Sequence, residues 1–196
     1  MVGQAAKDWD VVTLPSPDFP VPDEDLMMAV GTGDTQALHR LIERWQGPLI
    51  NFFYRSLQNV QTAEDLAQMT FIRVYRAAPR YRAEAKFSTW LFQIARRLLI
   101  NEYRRQSRKP ADTTDPADLQ GSTSGRDPLA LKEVEEAFAQ ALETLPENQK
   151  TALLLLKQQE LSYEEIADIM GASISAVKTW IHRGRTRLKA LLKDVL

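Results

Sequence analysis

Hydrophobic positions along this chain recur at steps of three and four, the spacing of one face of a helix. From Asp34 to Leu57 they fall at Leu38, Leu41, Ile42, Trp45, Leu49, Phe52 and Phe53, with Gly47-Pro48 marking a kink or break. The helical pattern already begins at Asp23. From Thr62, a candidate N-cap, the stripe Leu66, Ala67, Thr70, Phe71, Val74, Tyr75 and Ala78 predicts a helix that ends before Pro79 and buries those residues. Ser88 is placed to cap another, packed through Leu91, Ile94, Ala95 and Leu98. Periodicity lapses over 107–128, where Pro110, Pro116, Gly121, Gly125 and Pro128 lie among Asp, Ser and Thr. It resumes at Leu129 and runs, with Pro146 as a helix-start proline, to Leu196. Upstream, Pro15, Pro17, Pro20 and Pro22 interrupt any regular element. No alternating pattern marks a strand. The chain therefore reads as all-α: a disordered leader over 1–22, a helical domain over 23–106, a flexible linker over 107–128 and a second helical domain over 129–196, each with a modest core.

The second domain contains "SYEEIADIMGASISAVKTWIHRGRTRL". Ser162 and Glu165 have the S-x-x-E spacing of a capping box. Ile166, Ala167 and Met170 form the inward face of a short helix, and Gly171 follows where a turn requires positive φ. Ser173 caps a second helix whose inward face is Val177, Trp180, Ile181 and Leu188. This is a helix-turn-helix pattern. On the second helix Ser175, Thr179, His182 and Thr186 point outward, flanked by Lys178 and Arg183. Short polar groups framed by cations suit a major groove, where the former reach base edges and the latter meet phosphates. A merely solvated face would mix Glu with Lys, yet no acidic residue lies between Ser173 and Ala190. His182 has no second His or Cys near it and reads as a surface residue.

Composition narrows the classes. The chain has no cysteine, which removes disulfides, thiolate zinc sites and thiol catalysis. No segment resembles a signal peptide or approaches the ~20 apolar residues of a membrane span, so the cytoplasm is the expected location, with no stable membrane insertion. The net charge of −1 hides a strong asymmetry. From Phe71 to Lys109 there are eleven basic residues against two acidic, and from Ser175 to Leu196 six against one. Local charge decides what a surface attracts, and two separated basic regions suggest two contacts with a polyanion.

One of those regions is "FSTWLFQIARRLLINEYRRQSRK". Away from its packing stripe, Arg97, Asn101, Arg104 and Arg108 lie near one another, with Phe87 and Trp90 at the helix start beside the "RAEAK" loop. Cations along a face with rings at one end suit a single nucleic-acid strand, the charge following the backbone and the rings taking unstacked bases. Trp90 is equally readable as core. In "TAEDLAQMTFIRVYRAAPRY", Glu64, Asp65 and Gln68 share an exposed side. Compensation of the helix dipole accounts for the two acids but not for the glutamine.

Taken together, "AEDLAQMTFIRVYR", "FSTWLFQIARRLLINEYRR" and "LPENQKTALLLLKQQELSYEEIADIMGASISAVKTWIHRGRTRL" resemble an extracytoplasmic-function (group IV) RNA polymerase sigma factor of the sigma-70 family. The resemblance covers residues 23–106 and 129–193. Gly184, inside the recognition helix, departs from good helix-forming sequence at about 1 kcal/mol against Ala. The resemblance implies that Glu64, Asp65 and Gln68 contact core RNA polymerase. It implies that Lys86, Trp90, Arg97, Asn101, Arg104 and Arg105 hold the promoter −10 region, with the loop 82–88 receiving a flipped base. It further implies that Ser173, Ser175, Lys178, Thr179, His182, Arg183 and Arg185 read the −35 element. Core polymerase, promoter DNA and an anti-sigma factor are the implied partners, with no catalytic residue, metal or cofactor. The rival is a helix-turn-helix regulator acting without polymerase docking, which calls for a ligand or dimerisation domain in the first half. A helical enzyme finds no nucleophile–base pair, metal cluster or Gly-rich phosphate loop.

Overall fold

The computed structural model describes residues 21–108, 128–158 and 161–193, with the side chains of 128–135 and 158 excluded. The leader and the linker expected from the sequence lie almost wholly outside these residues. Among those described every regular element is helical. Four α-helices form the first unit: α1 (Asp23–Gly31), α2 (Thr35–Leu57), α3 (Val60–Ala77) and α4 (Phe87–Gln106), with a short 3₁₀ turn at Ala78–Arg80 before the loop into α4. The second unit holds α5 (Pro128–Glu143), α6 (Glu147–Gln158), α7 (Tyr163–Met170) and α8 (Ile174–Leu191).

The caps explain where the helices start. Asp34 accepts from the backbone N–H groups of Gln36 and Ala37 at the head of α2. Asn59, rather than the expected Thr62, caps α3: its side chain accepts from Thr62 N–H at 2.8 Å, moving the start three residues upstream. Ser88 does not cap α4. That helix begins at Phe87, and its first N–H donates to the Glu24 carboxylate of α1 at 2.7 Å. Helix α2 continues unbroken through Gly47 and Pro48. Packing explains its persistence, since Leu41 on one side of the proline and Leu49, Phe52 and Phe53 on the other are all fully buried. Pro146 sits just before α6, where its carbonyl accepts from the N–H groups of Gln149 and Lys150.

An aromatic cluster fills the first unit. Trp45 lies 6.2 Å from Phe87 and 6.1 Å from Phe92 between ring centroids, and Phe52 and Phe92 meet edge to face at 5.4 Å. Trp45 also donates its indole N–H to Asp23 at 3.0 Å, and Arg44 pairs with the same carboxylate, so α1 is pinned to α2. In the second unit the capping box of α7 is complete, Ser162 and Glu165 each accepting from the other's backbone N–H. Gly171 takes φ 58°, and Ser173 caps α8.

The two units do not stand apart. Helix α7 packs on α4, α6 packs on α2, and one apolar core runs through both. The sequence predicts two tethered domains and contains nothing that reveals this contact.

Candidate functional site

Three surfaces gather the candidate residues. The first lies on α3. Glu64, Asp65 and Gln68 are exposed and line a groove of about 410 Å³ between α2 and α3, together with Ile42, Gln46 and Ile50. Asp65 accepts from the Gln61 side chain at 3.2 Å, which aims it along the helix. The stripe expected to be buried on α3 is buried except at Tyr75, which is 56% exposed. Leu66, Phe71 and Val74 already fill the space against α2 and α4, and Tyr75 turns to solvent. Met69 and Ile72 are exposed as well. Large apolar side chains beside an acidic groove are a feature of contact surfaces. The signal for them was present in the sequence, as apolar residues off the main stripe.

The second surface runs along α4 and its preceding loop. Arg97, Asn101, Arg104 and Arg108 are exposed, and Asn101, Arg104, Arg105 and Arg108 form a shallow groove. Arg105 differs from its neighbours: its guanidinium binds the Glu102 carboxylate through two hydrogen bonds of 2.7 Å, and Glu102 is only 7% exposed. That pair engages Nε and one terminal nitrogen of the exposed Arg105, so among the described residues Arg97, Arg104 and Arg108 are the more available cations of this face. Phe87 is fully buried among Trp45, Tyr81 and Trp90, so its ring belongs to the core and is unavailable to a base. Trp90 satisfies both readings. It is half-buried against Tyr81, 5.0 Å between centroids, while one edge lines a cleft.

Nothing in the sequence marks that cleft as a unit. It has a volume of about 690 Å³ and is lined by Arg73, Arg76, Arg80 and Arg82, by Tyr81 and Trp90, and by Glu84, Ala85 and Gln93. Four guanidinium groups around two rings offer charge for phosphate and an aromatic surface for a base. The arginines come from the end of α3, the 3₁₀ turn and the loop, segments scattered in sequence. Burial, with Glu24 and Asp23 adding to it, pushes the Tyr81 hydroxyl up to about 12. Lys86, at the loop's end, forms an ion pair of 2.9 Å with Glu165 of α7. Burial disfavours the Glu165 carboxylate, but Lys86 and the Ser162 N–H outweigh it and hold the carboxyl below its usual value.

The third surface is the outer face of α8. Ser173, Ser175, Lys178, Thr179, His182, Arg183 and Arg185 are all exposed. The Ser173 hydroxyl is occupied as the cap, accepting from Ala176 N–H at 3.2 Å. The Thr179 hydroxyl donates to the Ser175 carbonyl at 2.9 Å. Its proton is thereby used, leaving a methyl and an acceptor to face outward, groups that meet a thymine methyl or a base amino group. The Lys178 ammonium sits 5.9 Å from the centre of the Tyr163 ring, which holds it at the edge of the face. On the inner side Val177, Ile181 and Gly184 are buried. A Cβ on Gly184 would meet Leu153 Cδ1 of α6 at 2.6 Å, so this glycine lets α6 and α8 approach closely.

Among the described residues no group of His, Asp and Glu is arranged to hold a metal ion, and no helix is long and apolar enough to cross a membrane. Comparison with known proteins matches residues 41–109 to the family model Sigma-70 region 2 and residues 135–188 to Sigma-70, region 4. The RNA polymerase sigma-H factor of Pseudomonas aeruginosa is 30% identical over 184 residues, spanning 89% of this chain and 95% of its own. The ECF RNA polymerase sigma factor SigW of Bacillus subtilis is 32% identical over 176 residues, spanning 85% and 94%. Among solved structures, CnrH in complex with the cytosolic domain of CnrY superposes with a TM-score of 0.68 at 23% identity, over 88% of this chain and 97% of that one. Sigma factor RpoE in complex with the anti-sigma factor NepR from Bartonella quintana gives 0.67 at 24% identity, over 79% and 96%. At those identities the structural likeness is one of fold.

Proposed function

Since the chain belongs to the extracytoplasmic-function sigma factors of the sigma-70 family and directs promoter-specific initiation by RNA polymerase, we propose how its surfaces divide that work. Region 2, placed at 23–106, docks on core polymerase through the groove of Glu64, Asp65 and Gln68, with Met69 and Ile72 as its apolar contacts. The α4 face of Arg97, Asn101 and Arg104 follows the strand at the −10 element, and the cleft at Trp90 and Tyr81 takes an unstacked base. Lys86 and Arg105 contribute once released from Glu165 and Glu102. Region 4, placed at 129–196, lays α8 in the major groove of the −35 element. There Ser175, Thr179 and His182 face base edges, and Lys178, Arg183 and Arg185 meet phosphates. The observation that carries this division is the pair of separate, exposed cationic helical faces, on α4 and α8, in a chain of net charge −1. An uncharged or mixed surface on either would leave no attraction for a second DNA element.

The factor carries no chemistry of its own, the polymerase being the catalyst, and it acts in the cytoplasm where that enzyme and the DNA are. The two solved structures of like fold hold CnrY and the anti-sigma factor NepR, and an anti-sigma partner is extended to this chain on that basis. A regulator independent of polymerase has no account of the α3 groove. The test is Asp65→Arg. Binding to core polymerase should weaken about tenfold or more, since like charge across an interface costs several kcal/mol, with helical circular dichroism unchanged. Equal affinity for core would remove α3 from the docking surface.

A further inference from the structure

Three cations of region 2 are matched to carboxylates: Arg44 to Asp23, Lys86 to Glu165 and Arg105 to Glu102. The four arginines of the cleft are not. Arg73, Arg76, Arg80 and Arg82 are all exposed, and among the described residues their guanidinium groups form no ion pair, although Glu84 lines the same cleft. Arg73, Arg76 and Arg80 follow one another at steps of three and four, so the end of α3 and the 3₁₀ turn carry them on one side, and Arg82 joins them from the loop. We propose that this cleft binds a free nucleoside polyphosphate, its phosphates held by the four guanidinium groups and its base laid against Trp90 and Tyr81. The ligand differs from the promoter base assigned to the cleft above, and its binding requires neither polymerase nor DNA.

Charge selects the ligand. Like charges converging on one cleft repel one another unless an anion lies among them. Four arginines against one glutamate leave the lining at +3. A nucleic-acid strand brings one negative charge per phosphate, spread along its length. A nucleoside di- or triphosphate gathers about three or four on one small molecule. Guanidinium groups suit those oxygens because each presents paired N–H donors in a plane. Among the described residues no acidic group is arranged to hold a metal ion, so the arginines themselves neutralise the phosphates. Size agrees with the ligand: the cleft, about 690 Å³, falls within the range of about 300–1,000 Å³ that small-molecule sites occupy. The rings supply the other half. The Tyr81 hydroxyl is buried and has no hydrogen-bond partner among the described residues, so it is the ring that lines the cleft, beside half-buried Trp90 at 5.0 Å between centroids. A base has a face for such a surface, and an inorganic polyphosphate does not.

The test is calorimetric titration of the full chain with ATP, in EDTA so that no magnesium competes for the phosphates. Binding should saturate at one ATP per chain and weaken from ATP to ADP to AMP as charge is removed. Inorganic tripolyphosphate should bind about tenfold more weakly than ATP, for want of a base. Arg80→Ala and Arg82→Ala should each weaken ATP about tenfold, the loss of one charge-assisted contact, with helical circular dichroism unchanged. Arg40→Ala removes the same charge from an exposed position on α2 and should change nothing. Absence of saturable binding at millimolar ATP, tripolyphosphate binding as tight as ATP, or an equal loss in Arg40→Ala each overturns the proposal. A single-stranded −10 oligonucleotide separates free nucleotide from strand. If the oligonucleotide binds and ATP does not, the cleft serves the strand alone and the proposal falls. Failure of the sigma-factor reading looks different: the chain would then neither bind core polymerase nor direct promoter-specific transcription, while the ATP titration of the free chain would be unaffected.

Discussion

At the scale of single residues, Gly184 shows how a local cost is set by a distant neighbour. By helix propensity alone, Gly184→Ala should gain about 1 kcal/mol. The close approach of Leu153 reverses the sign. A Cβ would sit 2.6 Å from its Cδ1 and 3.3 Å from its Cγ, and Leu153 is itself buried. Forcing a methyl into a packed contact costs about 1–3 kcal/mol, so the overpacking wins and the variant should be less stable by about 1 kcal/mol in urea unfolding. In a Leu153→Val background, which removes the clashing atom, the same substitution should become neutral or stabilising. A loss of equal size in both backgrounds would mean that Leu153 is not the cause.

At the scale of elements, the helix starts differ in how far their caps come from. The cap of α7 is local, Ser162 and Glu165 serving each other across three residues. The start of α4 is held by Glu24, 63 residues upstream. A bond from a half-buried N–H to a carboxylate is worth more than one to an exposed hydroxyl. Glu24→Ala should therefore cost about 2 kcal/mol and Ser162→Ala about 1 kcal/mol. Glu165→Gln should cost less than either, since glutamine completes the same capping box. Denaturant midpoints of the three variants give the order. A larger loss for Ser162→Ala than for Glu24→Ala would mean that the long-range cap contributes little. The element scale also separates what faces DNA from what merely lies on a basic helix. Arg105 sits next to Arg104 in sequence and both are exposed, yet Arg105 is bound to Glu102 one turn away.

At the scale of the whole molecule, the joint between units sets the response to alkaline pH. Tyr103 is pushed up to about 12 by burial, with Glu147 of α6 adding to it, and Tyr81 reaches about 12 by burial with Glu24 and Asp23. A tyrosine whose folded value is raised stabilises the fold below its unfolded value, about 10, and loses that contribution as pH rises through the folded value. Lys150 has the opposite sense. Its folded value is lowered, so its burial penalty is relieved as pH rises toward the unfolded lysine value, about 10.4, and is constant above it. Stability should therefore fall between about pH 10.5 and 12, as the two raised tyrosines lose their contribution. Tyr103→Phe should remove a part of that fall on the order of 2 kcal/mol. Absorbance titration should show Tyr103 ionising well above pH 10, the ordinary tyrosine value. Ionisation of all tyrosines together near pH 10 in the folded chain would contradict the burial of Tyr103 and Tyr81.

Most of the helices, the capping box, the turn at Gly171 and the outer face of α8 follow from the sequence by itself, because each depends on residues within one or two turns of one another. Spacing of three and four sorts inward from outward wherever a helix has a single buried stripe, which is why Val177 and Ile181 lie inside and Thr179 and His182 outside. Periodicity cannot tell which stripe wins when two are apolar, and so it puts Tyr75 in the core and does not single out Met69 and Ile72. Nor can it supply partners from other elements. Only the tertiary structure decided that Glu24 caps α4, that Phe87 is core, that Gly184 is a point of helix contact and that four scattered arginines share one cleft. The contact between the two units is the furthest from the sequence. It depends on Lys86 meeting Glu165 and Lys150 meeting Ser56 across 79 and 94 positions, pairings that residue type permits in many combinations and that only packing in three dimensions selects.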